Sequence, residues 1–74
     1  MMPEERLPTK GERAWLELLL NGPQRRPRYG AVPMASCIRT KWTEWVYPTR
    51  PGSPERITEA GRAVLWRTFR EPMP

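Results

Sequence analysis

Ten prolines fall within 74 residues, and their positions limit what the chain can build. A proline inside a helix removes a hydrogen bond and clashes with the preceding turn, and inside a sheet it removes a ladder bond. Regular elements are therefore expected mainly between the prolines. Met1 to Pro8 and Glu71 to Pro74 combine prolines and charges without an apolar period and read as flexible ends around a single domain over 9–70. The length leaves room for one small core only, near the size at which about 60% of the chain's surface is buried. With 38% hydrophobic residues and four tryptophans, a folded centre is expected rather than a disordered chain.

The first helix is expected over about 10–21. Thr9-Lys10-Gly11-Glu12 is a capping-box pattern, and Asn21-Gly22-Pro23 is a stop. At about 100° per residue, Ala14, Trp15, Leu16, Leu18, Leu19 and Leu20 cover an arc of roughly 240°, leaving Lys10, Arg13 and Glu17 for water. Such an arc predicts a helix buried on more than one side, by the core or by a dimer contact.

Residues 23–31 hold two prolines and a glycine and read as a basic loop. Pro33 suits the first position of a second helix over about 33–42, with Met34, Cys37 and Ile38 on its apolar face and Ser36, Arg39 and Thr40 opposite. Lys41 falls on the apolar side, where its stem can snorkel outward. Thr43 to Tyr47 alternates with a period of two and predicts a strand. Arg56-Ile57 closes a hairpin over about 55–57, and Pro48, Pro51 and Pro54 stiffen its tip. Thr58 caps a last helix over about 58–70, with Ala60, Val64, Leu65 and Phe69 across one side, Gly61 allowing close approach, and Arg62 and Trp66 at the edge. The fold class expected is a small α+β domain of three helices, with the hairpin between the last two. The tryptophans read as core and interface packing rather than as a platform for bases.

The chain contains neither histidine nor aspartate. That removes the common proton shuttle, the nucleophile–histidine arrangements and most zinc sites, so no enzyme activity, cofactor or metal is expected. Gly52-Ser53-Pro54 lacks the strand–turn–helix setting of a nucleophile elbow. Cys37 is the single cysteine, which excludes an internal disulfide and suggests a reducing compartment, the cytoplasm by default. It reads as a small buried hydrophobe. No signal peptide or membrane span is expected, because no uncharged run exceeds about ten residues.

The net charge of +5 is uneven: residues 1–22 carry three basic and four acidic groups, 23–50 six and one, and 51–74 four and three. A basic middle between near-neutral flanks suits a polyanion-binding surface.

The order of elements resembles the winged-helix variant of the helix-turn-helix, of the small bacterial or prophage kind. Arg56-Ile57-Thr58-Glu59-Ala60-Gly61-Arg62-Ala63-Val64-Leu65 looks like the passage from wing to last helix in bacterial winged-helix regulators. Arg39-Thr40-Lys41-Trp42-Thr43-Glu44-Trp45 is similar to the family's passage from recognition helix into the first wing strand, where the family commonly places glycine at the position of Lys41. The proline-bearing stretch 23–31 departs from the family, which has a middle helix there. The resemblance implies double-stranded DNA as partner and transcription regulation as the role. Ser36, Arg39, Thr40 and Lys41 would lie in the major groove, Arg50 and Arg56 on the wing, and Arg25, Arg26 and Arg28 on the phosphate backbone. Two alternatives stand beside it. One is a winged-helix scaffold acting as a protein-interaction module, through a homodimer or host protein on Trp66, Phe69 and the first helix. The other is RNA binding through Arg25, Arg26, Arg28 and Tyr29.

Overall fold

The computed structural model describes residues 6–27 and 31–70. Its elements run in the order α1 (Lys10–Leu19), α2 (Ala31–Arg39), β1 (Thr43–Trp45), β2 (Glu55–Ile57) and α3 (Glu59–Arg70). This is the expected α+β domain of three helices with an antiparallel hairpin between the last two. Arg28 and Tyr29 lie outside the described residues, as do residues 1–5 of the first segment expected to be flexible and the whole of the second, 71–74.

The capping box opens α1 as anticipated: Glu12 N–H donates to Thr9 Oγ1 at 3.3 Å, and Thr9 N–H donates back to Glu12 Oε1 at 2.8 Å. The helix buries one stripe, Glu12, Trp15, Leu16 and Leu19, against α2, α3 and β2. Within the single chain Ala14, Leu18 and Leu20 are exposed, so of the two coverings expected for the wide arc the core supplies only that stripe. A domain this small has elements to cover only a narrow arc of its central helix.

Helix α2 begins two residues before Pro33, whose missing N–H is harmless anywhere in the first turn. It ends at Arg39 in a Schellman arrangement: Trp42 N–H donates to Cys37 O at 3.0 Å and Lys41 N–H to Ile38 O at 3.1 Å. Lys41 holds the left-handed position of that motif, with φ of 67°. The turn brings Trp42 back against Cys37, and both join the core with Trp15, Leu16, Leu19, Ile57, Val64 and Leu65.

In the hairpin, Thr43 faces Ile57, Glu44 faces Arg56 and Trp45 faces Glu55. Regular pairing stops two residues short of the expected Tyr47, although Val46 N–H still donates to Pro54 O and Tyr47 N–H to Ser53 Oγ. A third segment joins the ribbon where Gln24 and Glu55 exchange backbone hydrogen bonds of 3.0 and 2.8 Å. The loop before α2 is thereby sewn to the hairpin, and residues 20–27 contain no helix.

Thr58 caps α3, accepting from Gly61 N–H at 3.0 Å. The helix buries Gly61, Val64, Leu65 and Thr68. Phe69 and Ala60 were expected on that side and are exposed instead. Thr68 takes the buried place, its hydroxyl bonded to Val64 O at 3.0 Å. Of the four tryptophans, Trp15 and Trp42 are core, whereas Trp45 and Trp66 face outward.

Candidate nucleic-acid interface

Among the described residues two carboxylates, Glu12 and Glu55, are sealed inside the domain, and each determines where basic side chains can point. Glu55, on β2, is 1% exposed. It receives Trp15 Nε1–H at 3.4 Å, the Thr43 hydroxyl at 3.2 Å, and the Arg26 guanidinium through Nε. An unpaired carboxylate at such depth would be costly, so Arg26 serves as its counter-ion. Glu12 is nearly as buried and is bound by Arg6 at 2.6 and 2.8 Å and by the Ser36 hydroxyl. The Arg6 guanidinium, foremost, holds its carboxyl down to about 2 against the desolvation that opposes it.

These two sinks divide the candidate residues. Arg26 is half-buried and committed to Glu55. Ser36 faces α1, so it does not share the outer face of α2 with Arg39 as its helical phase suggested. Thr40 donates to Cys37 O at 3.0 Å. The outer face of α2 is instead Val32, Ala35 and Arg39, with Val32 78% exposed. Arg25, Arg39, Lys41, Arg50 and Arg56 are exposed.

Four of these five border the hairpin. A cleft of about 690 Å³ lies between the 25–26 backbone and the hairpin tip, lined among others by Arg25, Arg26, Trp45, Pro48 and Arg50. A second lies between the end of α2 and β1, with Ile38, Lys41, Trp45, Pro48 and Arg56 among its walls. Trp45 and Pro48 belong to both, so the clefts adjoin along one ridge. Among the described residues, five cationic side chains and two carboxylates, buried Glu55 and exposed Glu44, line them. Glu44 pairs with Arg56 at 2.6 Å, a surface pair worth under about 1 kcal/mol, which does not lock Arg56 away from an anion. The Arg50 guanidinium stacks 5.3 Å from the Tyr47 ring.

Sequence reasoning did not single out Glu55, Trp45 or Pro48. Glu55 meets its partners 12 to 40 residues away, and no local pattern announces such a meeting. For Trp45, strand alternation predicts a shared face with Thr43, but Thr43 is buried and Trp45 is exposed at the wall of both clefts.

Among the described residues, no group of three or more cysteines and carboxylates could hold a metal ion, and no helix is long and apolar enough to cross a membrane. The Cys37 thiol is buried in the core, and desolvation pushes its ionisation up to about 12, so it stays protonated at neutral pH. No protein-family model matches the chain, and no curated protein or solved structure is significantly similar to it.

Proposed function

We propose that the chain is a duplex-DNA-binding domain on the winged-helix plan, with α2 presented to the major groove and the hairpin as the wing, in a small regulator of the bacterial or prophage kind. The observation that carries this reading is the pair of adjoining clefts on the Trp45–Pro48 ridge, bordered by Arg25, Arg50, Lys41 and Arg56. Arg39 is the one base reader of the outer α2 face, suited to guanine, while Val32 and Ala35 beside it suit thymine methyl groups. Arg25, Lys41 and Arg50 supply phosphate contacts. Arg26 and Ser36 contribute to the fold of this interface and not to its contacts.

The test is an amide chemical-shift titration of the labelled domain with mixed-sequence duplex DNA at low and moderate salt. Shifts gathered at Arg25, at Arg39 to Lys41 and at Trp45 to Arg50, shrinking as salt rises, are the expected outcome. Each neutralised phosphate steepens log K against log salt by about 0.9. Absence of shifts at low salt would overturn the reading in favour of a protein-interaction module.

A further inference from the structure

The outward face of α3 carries Glu59, Ala63, Trp66 and Arg70 in one straight stripe. These positions follow the i, i+4, i+7, i+11 spacing that keeps side chains on one side of a helix. They lie directly opposite the buried Gly61, Val64, Leu65 and Thr68, and all four are exposed. Trp66, at 62% exposed, is the largest of them.

The stripe is complementary to itself. Glu59 with Arg70, and Ala63 with Trp66, are both centred between Val64 and Leu65. Turning a second α3 by a two-fold axis through that point, so that the helices run antiparallel, sets Glu59 against Arg70 of the second copy and Ala63 against its Trp66. Each small residue then receives a large one, and each charge an opposite charge, twice over. The helix dipole accounts for a glutamate in the first turn and an arginine in the last. It does not account for an alanine and a tryptophan placed symmetrically on the same line.

We propose that α3 is a homodimerisation surface, pairing antiparallel with α3 of a second copy of this chain in the register Glu59–Arg70 and Ala63–Trp66. This proposal is independent of nucleic-acid binding. An isologous contact needs one patch that matches itself under a two-fold axis, and this stripe meets that requirement. A helix of 12 residues is about 18 Å long, so the contact belongs to the small, weak class of interfaces.

Sedimentation velocity on the full chain from about 10 µM to about 1 mM is the experiment, the range in which so small an interface associates. Wild type is expected to pass from monomer to dimer. Glu59→Arg alone and Arg70→Glu alone each set like charges opposite one another and weaken dimerisation about tenfold or more. Their equimolar mixture restores both opposite-charge pairs and therefore associates, while the weakening of each single variant marks the antiparallel register, since a parallel pairing already sets like charges together in wild type. Trp66→Ala and Ala63→Lys, both at exposed positions, are expected to stay monomeric with an unchanged circular dichroism spectrum. A wild type that is monomeric at about 1 mM would leave the stripe to some other protein and overturn the proposal. So would a mixture no tighter than either single variant, or Trp66→Ala dimerising like wild type.

Discussion

Gly61 lies against the backbone carbonyl of Trp42: a Cβ at residue 61 would stand 2.1 Å from that oxygen and 2.8 Å from Ile57 Cγ1. The carbonyl has no room to retreat, since it accepts both the Thr58 N–H and the Thr58 hydroxyl at 2.9 Å. Here the turn after α2, the end of β2 and the first turn of α3 are fastened together. Gly61→Ala is therefore expected to cost about 3 kcal/mol, although alanine is the better helix former by about 1 kcal/mol. Thermal unfolding checks this as a fall in Tm of more than about 10 °C for a domain of this size. Ala60→Gly, next to it and exposed, should cost no more than about 1 kcal/mol.

Lys41 occupies the left-handed position of the Schellman turn with φ of 67°, where a side chain is strained and glycine is not. Lys41→Gly is expected to stabilise the domain by about 0.5–1 kcal/mol in urea titrations. It also removes a cation from the cleft between α2 and β1, so DNA affinity at low salt should fall while stability rises. Parallel losses in both quantities would mean that the lysine stem contributes more packing than the turn loses in strain.

The order and type of every element was legible in the sequence, because caps, proline breaks and the change of apolar period mark them locally. Thr9 and Glu12 form the box their spacing implied, and Lys41 holds a left-handed backbone conformation that glycine adopts more readily. Orientation was less legible. Helical phase put Ser36 with Arg39, but a single hydroxyl is redirected by a strong acceptor, and Glu12 supplies that acceptor from another helix. Apolar periodicity likewise placed Leu18, Leu20 and Phe69 on apolar arcs without dividing core from partner surface, because it records which residues could be buried and not how much neighbouring surface exists to bury them. The split of the basic residues into structural and available ones depends on Glu55, whose environment is assembled from four separate segments of chain.

Glu12 makes the fold sensitive to acid in a defined window. Its carboxyl is held at about 2 in the folded chain against an ordinary value of 4.5. A group depressed in this way contributes stability in full above its unfolded value and loses it as pH falls through the folded one. Stability should drop by about 2 kcal/mol between roughly pH 5 and pH 2, an amount reduced by the solvent that reaches the Arg6 side chain. Urea midpoints measured across that range test it. Glu12→Gln should start less stable at pH 7 and show a flatter acid limb, and an acid limb identical to wild type would assign the loss to other groups.

Arg25 and Arg26 are neighbours in sequence with opposite expected behaviour. Arg26 neutralises a carboxylate that is 1% exposed, so Arg26→Ala leaves Glu55 buried without its cation and should cost about 2–3 kcal/mol of stability. It should leave the salt dependence of DNA binding unchanged. Arg25 is exposed, so Arg25→Ala should stay within about 0.5 kcal/mol of wild-type stability while lowering the slope of log K against log salt by about 0.9. Arg39→Ala should also keep stability, and on a preferred sequence it should cost about 1–3 kcal/mol of binding, with little loss on unrelated DNA. Urea titrations and fluorescence anisotropy at several salt concentrations measure all three. A reduced salt slope in Arg26→Ala, with stability intact, would place that guanidinium on the phosphate backbone and detach it from Glu55.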